Sequence, residues 1–444
     1  MTWRFPASFW VANTIELFER AAYYGTFITL SVFLTSVVGY SDVQAGYIAG
    51  IFSSSMYLLP FLTGALADRM GFRAALGLAF TLLAAGYACL GLFPTPAPVL
   101  FGLLLILVGG SFVKPIITGT VAKTSDESTR ARAFSLFYMV VNIGAFSGKT
   151  VAKPVRVALG QRFVPLYSAG AAAVALLGTL LFYRPPGQNT DGNKPASRQT
   201  LSGLLTVLKN GRFLALILIT AGFWAIQGQL YASMPKYVLR TVGEQASPEW
   251  YANVNPFVVV LLVVPITQLL RNLQPITSIG ISLALIPLSA LAMALSPLLA
   301  GSSSVFGMHL HPVTVVMITG IALQGFAECF LSPRYLEYAS KQAPPGQEGL
   351  YMGYAHINSF FAWLFGFIIS GYLLEAYCPD PKKLSAAEQA AHKLALAGGG
   401  PMPEAYAHAH YIWYAFAGVG AFAFLMLLVF QVVTKRRDAL RAAA

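Results

Sequence analysis

Charge is what this chain has least of. Acidic and basic residues together make up 10% of its 444 positions, while hydrophobic residues make up 56%. A soluble globular domain carries about 25% charged residues, so a large soluble domain is excluded. Cysteine is scarce as well: Cys89, Cys329 and Cys378 are too few and too scattered for a disulfide framework. The spaced pairs His309/His311 and His408/His410 have no companion cysteine or carboxylate cluster, so they read as solvated loop histidines and no metal is expected. A nucleophile with its base and a phosphate-binding glycine loop are also missing, which argues against an enzyme and against a bound cofactor. The first segment lacks a short apolar core ending in a small-residue cleavage site, and it is expected to persist as a mature helix.

What the chain has instead is apolar runs of membrane-spanning length. They fall at about 8–37, 43–67, 74–93, 98–122, 131–153 and 163–183, then at about 212–240, 253–270, 276–298, 312–340, 349–374 and 411–434. The pattern predicts an all-α polytopic membrane protein with twelve helices in two six-helix bundles, residues 1–184 and 212–434. Residues 185–211, which open with Pro185-Pro186-Gly187, read as a cytoplasmic linker, and 435–444 as a cytoplasmic tail. An outer loop over roughly 378–409 holds Pro379, Pro381 and the Gly398-Gly399-Gly400 run, with an Ala-rich stretch suited to a short surface helix. The net charge of +12 sorts by loop. With a cytoplasmic N-terminus, basic residues inside, from Arg4 to the tail Lys435-Arg436-Arg437, outnumber those outside about two to one, so both termini are expected in the cytoplasm. The charge reports topology, the partner is the lipid bilayer, and no nucleic acid is implied.

Against that apolar background, Glu16-Leu17-Phe18-Glu19-Arg20-Ala21-Ala22-Tyr23-Tyr24-Gly25 places three charged side chains inside the first segment. At about 100° per residue, Glu16, Glu19, Arg20, Tyr23 and Tyr24 fall within roughly 140° of one helical face and line an interior. A charge at the bilayer centre costs about 2.5–3.5 kcal/mol on insertion scales, and such residues mark an ion or substrate path. The decapeptide therefore reads as proton-handling machinery. Four further features lie within the spans. Lys114-Pro115 sits deep in helix 4, and Glu328 precedes Ser332-Pro333 in helix 10. Asn142 serves either a site or simple interhelical bonding, and Asn255-Pro256 either a site or a helix kink. Together Glu16, Glu19, Arg20, Lys114 and Glu328 carry one net negative charge, so one added proton neutralises them.

Two sets of motifs resemble known families. Gly64-Ala65-Leu66-Ala67-Asp68-Arg69-Met70-Gly71-Phe72-Arg73 resembles the cytoplasmic signature of the major facilitator superfamily, which implies that Asp68, Arg69 and Arg73 form an inner-face latch. Four elements resemble the proton-dependent oligopeptide transporters of that superfamily. They are Glu-x-x-Glu-Arg-x-x-Tyr-Tyr-Gly, Lys114-Pro115, Phe-x-x-Phe-Tyr-x-x-x-Asn-x-Gly over 134–144, and Glu328 with Ser332-Pro333. The resemblance covers most of the chain. It implies the major facilitator fold and a monomeric importer of di- or tripeptides, driven by the proton gradient with no cofactor. A bacterial inner (plasma) membrane is the expected location. Glu16, Glu19 and Arg20 would form the proton-coupling cluster. Lys114 and Glu328 would hold the peptide carboxylate and amino group, with Asn142 and Asn255 assisting at the amino end and Tyr23, Tyr24 and Tyr57 lining the pocket.

The chain departs from that family in places. Phe27 stands where the family carries an Arg on helix 1, and Gly228 stands where helix 7 carries a Glu. In the family these resemble an outer gate ion pair; losing both leaves no unpaired buried charge, and closure through Phe27 and apolar packing is the expectation. Ile116 replaces the usual Asn after Lys-Pro, and the two extra linker helices of many bacterial members are absent. Lys149, Lys153 and Arg156 follow Asn142 on nearly one face of helix 5 and read either as residues snorkelling at a helix end or as an outer basic funnel for anions. Two alternatives therefore stand beside the peptide importer. One is a proton-coupled transporter of nitrate, an organic anion or a modified peptide. The other is a transport-dead nutrient sensor.

Overall fold

In lipid every backbone N–H and C=O has to be satisfied within its own segment, and so the long apolar runs fold as helices. The computed structural model describes residues 5–126, 128–187, 210–299, 304–305, 308–342 and 348–443. Most of the expected linker lies outside the described residues. Seven helices precede it: α1 (Ala7–Ser36), α2 (Asp42–Leu58), α3 (Pro60–Met70), α4 (Phe72–Leu92), α5 (Pro96–Lys123), α6 (Arg130–Leu159) and α7 (Val164–Leu181). After it come α8 (Gly211–Gln227), α9 (Met234–Thr241), the single turn α10 (Pro248–Tyr251), α11 (Val254–Leu269), α12 (Pro275–Ala294) and α13 (Pro312–Gln342). The chain ends with α14 (Glu348–Ala355), α15 (Ile357–Tyr377), α16 (Ala386–Leu396) and α17 (Tyr411–Ala443). A pair of two-residue antiparallel strands, β1 (Ser304–Val305) and β2 (Met308–His309), is the only sheet among the described residues.

Nine spans among the described residues are long and apolar enough to cross a membrane, and the bent pair α2–α3 makes a tenth. The two 30-residue helices α1 and α6, which hold the charged motifs, are long enough to span but fall outside that count. Large apolar side chains such as Leu62, Phe101, Leu181 and Leu269 are 57–79% exposed, a surface that suits lipid and not water. The segment expected at 43–67 bends by 52° between α2 and α3 because Pro60 opens α3 with no N–H to give and a ring that crowds the preceding turn. Gly71 closes α3 with φ +87°, a conformation few residues adopt cheaply, and so turns the chain within one residue into α4. The segment expected at 212–240 breaks at a 3₁₀ turn, Gly228–Leu230, between α8 and α9. The Ala-rich outer stretch forms α16, started by a capping box in which Ser385 and Glu388 each satisfy the other's backbone N–H.

The chain packs as two units. Unit 1 holds Met1–Tyr40 and Ser55–Thr200, and unit 2 holds Ser41–Ser54 and Leu201–Ala444. The first three turns of α2 therefore belong with the second half of the chain. In unit 1, α1 packs on α6 and α7, and α4 on α5 and α7. In unit 2, α12 packs on α13 and α17, α11 on α13, and α8 on α15 and α17. Small residues set the α1–α6 approach: a Cβ on Gly144 would fall 2.7 Å from both Arg20 Cβ and the Leu17 carbonyl oxygen, and one on Gly148 would run into the backbone of Ala21. Gly144 and Gly148 form the small-xxx-small spacing that lets membrane helices meet backbone to backbone.

Candidate functional site

Because α6 lies so close, the charged face of α1 is sealed on one side by glycine. Glu16 and Glu19 are each 1% exposed. Arg20 serves both: its Nε lies 3.2 Å from Glu16 Oε1, and it donates to Glu19 Oε2. Glu16 Oε2 and Glu19 Oε1 are buried and have no hydrogen-bond partner among the described residues. Two carboxylates thus share one guanidinium. The Arg20 guanidinium sits 5.5 Å from the Tyr23 ring, which meets Tyr24 edge-on at 5.2 Å and stacks on Phe27 at 5.1 Å. Phe27 is 2% exposed. Thr26 donates to Ser168 and Ser168 to the Ala22 carbonyl, pinning α1 to α7 one turn beyond the cluster.

Unit 1 also holds most of the other sequence-selected residues. Lys114 on α5 is solvent-exposed, and its charge interacts with Glu16, Glu19 and Arg20. Tyr57 at the end of α2 interacts with Tyr23. Asn142 is half-buried on α6 and donates back to the Tyr138 carbonyl at 2.8 Å. Lys149 is 2% exposed with its Nζ 5.8 Å from the Tyr24 ring; Arg156 is also buried and Lys153 half-buried. Asp68 and Arg69 are exposed at the end of α3, and Arg73 in the first turn of α4 donates to the Leu180 carbonyl on α7. No group of three or more metal-ligating side chains converges among the described residues.

Unit 2 holds the acidic pole. Glu328 on α13 accepts from Gln227 Nε2 at 2.6 Å and from Asn255 Nδ2 at 3.3 Å, both on Oε2. Asn255 stands in the first turn of α11 and from there reaches Glu328 on α13. Sequence reasoning missed Gln227, whose signal was an amide immediately before the glycine break of an otherwise apolar helix.

It also missed a second buried charge cluster. Asp42, at the first turn of α2, accepts from Lys236 Nζ at 2.8 Å and Arg240 Nη2 at 3.0 Å on Oδ1, and from Arg240 Nη1 at 2.9 Å on Oδ2. The carboxylate is fully buried, and the two cations are 3% and 7% exposed. Arg240 Nη1 also donates to the Cys378 carbonyl at 2.6 Å, and Asp380 lies 3.7 Å from Nη2. Burial, against the pull of Arg240, pushes the Cys378 thiol up to about 12. His392 of α16 reaches the Arg240 carbonyl at 2.7 Å and stacks on Tyr406 at 4.8 Å, and Tyr406 donates to the Pro379 carbonyl at 2.9 Å. The readable signal was two cations four residues apart at the end of an apolar run, with one acid opening another.

The family model described as Major Facilitator Superfamily matches residues 14–308. Dipeptide and tripeptide permease A of Erwinia pyrifoliae is 30% identical over 236 residues, which cover 52% of this chain and 46% of the permease. The matched region thus spans about half the length of that relative. Multidrug resistance protein MdtH of Escherichia coli is 22% identical over 358 residues, 80% of this chain and 83% of MdtH. A structure of peptide transporter POT in complex with sulfate superposes with a TM-score of 0.71 at 19% identity, covering 97% of this chain and 95% of that one. A POT family transporter in complex with 5-aminolevulinic acid gives 0.73 at 18% identity, covering 97% and 96%. At these identities the structures establish the fold.

Proposed function

The chain belongs to the Major Facilitator Superfamily, and from that membership we propose that it is a proton-coupled symporter that imports di- and tripeptides by alternating access. The observation that carries this reading is the buried pair of carboxylates sharing Arg20 on α1. With one cation for two acids, the cluster is neutral when it holds one proton, and a neutral cluster crosses the low-dielectric phase of the cycle at the least electrostatic cost. Proton binding at Glu16 or Glu19 would license reorientation, and release would reset it. A charge crossing the membrane gains about 2.3 kcal/mol per 100 mV, enough for tens-fold accumulation.

A zwitterionic peptide leaving water needs fixed opposite charges at its two ends. In this proposal Lys114 takes the carboxylate, and Glu328, steadied by Gln227 and Asn255, takes the ammonium. Tyr23, Tyr24 and Tyr57 would line the cavity, and Asn142 would turn from Tyr138 to the substrate. Asp68, Arg69 and Arg73 would serve the inner-face latch. The protein would act as a monomer in a bacterial inner membrane with both termini in the cytoplasm.

A second reading, transport of a small anion, is favoured by Lys149, a buried cation beside Tyr24 in the same unit as Lys114. Uptake into proteoliposomes under imposed pH and voltage gradients separates the two. The peptide reading expects several dipeptides to accumulate while nitrate and small organic anions do not. Accumulation of an anion alone would overturn it.

A further inference from the structure

Within unit 2, α8 and α17 part between two points of contact and leave a groove of about 850 Å³ at the surface of that unit. That volume lies in the ~300–1,000 Å³ range of small-molecule sites, yet no residue of the groove serves binding or coupling as proposed above. We propose that the groove is a binding site for one anionic phospholipid, with an acyl chain along its apolar walls and the phosphate at Arg212 and Arg437. The inference goes beyond the transport reading and needs only that the chain is embedded in a bilayer.

The groove has two fixed ends. At the deep end the helices touch through glycine, where a Cβ on Gly222 would fall 2.5 Å from Ala423 Cβ. At the mouth Arg212 bridges to α17, its Nη2 donating to Asp438 Oδ1 at 2.5 Å and to the Thr434 carbonyl at 3.4 Å. Residues 212 and 222 of α8 are separated by a rise of about 15 Å, half of the ~30 Å hydrocarbon core. The groove is therefore one leaflet deep, the reach of an acyl chain. Its walls suit such a chain: Leu218, Phe422 and Val429 line it and are 50%, 62% and 52% exposed. Charge gathers at the mouth alone. Arg212 and Arg437 line it, Lys435 and Arg436 adjoin in sequence, and with Asp438 as the one acid these five residues carry a net +3. Arg437 has no ion pair among the described residues, and Arg212 bonds to them through Nη2 only, which leaves donors at both guanidinium groups. A guanidinium fork matches two phosphate oxygens at once, and basic pockets between membrane helices take anionic head groups. A zwitterionic lipid would bring its own ammonium into the +3 field. A free phosphate would gain the arginines and leave the apolar walls unused.

The test is native mass spectrometry of the full chain in detergent, titrated with phosphatidylglycerol and, separately, with phosphatidylcholine of identical acyl chains. The site predicts one phosphatidylglycerol adduct that half-saturates at about a tenfold lower concentration than phosphatidylcholine. Arg212→Gln/Arg437→Gln is expected to abolish that preference, because each cation near the head group contributes about fivefold in affinity. Asp438→Asn, which frees Arg212 from its competing carboxylate, is expected to bind phosphatidylglycerol severalfold more tightly. Ala215→Trp, which fills the groove and keeps both arginines, is expected to lose the adduct. If the double variant fails to reach the membrane, the opposite shifts of Asp438→Asn and Ala215→Trp carry the test, and equal binding by those two overturns the site. Excess inorganic phosphate is expected to leave the adduct in place; its displacement would make the mouth a free-anion site and overturn the proposal. Equal affinity for the two lipids, an unchanged preference in the double variant, or a dimer of this chain in place of the adduct would also overturn it. The assay needs neither peptide nor proton gradient, so the peptide reading can fail while the lipid site stands.

Discussion

The two buried charge clusters are near mirror images in composition and opposites in completeness. On α1 two acids share one base, and Glu16 Oε2 and Glu19 Oε1 are left without a partner among the described residues. At the start of α2 one acid holds two bases, and the second acid, Asp380, and the Cys378 carbonyl complete the set. A cluster with an excess of carboxylate has a use for a proton. A saturated one has none. The same residue types thus leave open acceptor oxygens in one unit and a closed set in the other, and the stoichiometry decides which.

The largest effects follow from removing the minority charge in either cluster. Asp42→Asn leaves Lys236 and Arg240 with Asp380 alone, beside Arg240, and Arg20→Gln strands two buried carboxylates, and each is expected to cost about 3–5 kcal/mol in denaturant unfolding of the detergent-solubilised protein. A much smaller loss in one of them would mark that cluster as hydrated in the resting state. Gly144→Val comes next, since its side chain would wedge α6 off Arg20; about 1–3 kcal/mol of destabilisation is expected from overpacking, with impaired uptake. Removing a majority charge is expected to matter least to stability: Glu16→Gln leaves Arg20 paired with Glu19, and its unfolding free energy should change by less than about 1 kcal/mol while coupling is lost. Smaller still is a pH effect. The raised Cys378 thiol stays protonated well above the usual thiol range, so maleimide labelling of the folded protein should not climb between pH 7 and 9, whereas the unfolded protein should label readily across it.

Much of this was legible in the sequence. Run length and loop charge predict the helices, and the charge-bearing decapeptide stands out because membrane segments exclude charge. Local breaks were harder to read: the α2–α3 bend depends on how Pro60 meets the turn before it, and the turn at Gly228 looks like any glycine in an apolar run. The Asp42 node stayed hidden for a different reason. Asp42, Lys236 and Arg240 each stand at the end of a segment, where a single charge reads as an interface residue. Only the fold brings residues 194 and 198 positions apart onto one carboxylate. Gln227 was masked likewise, since its partner Glu328 is 101 residues away.

The central claim is that the α1 cluster couples substrate to protons. In proteoliposomes, Glu19→Gln should still exchange external for internal dipeptide at equal concentrations but lose the tens-fold accumulation that an imposed proton gradient drives in the unsubstituted protein. If Glu19→Gln accumulates dipeptide as the parent does, the coupling role assigned to the cluster is wrong.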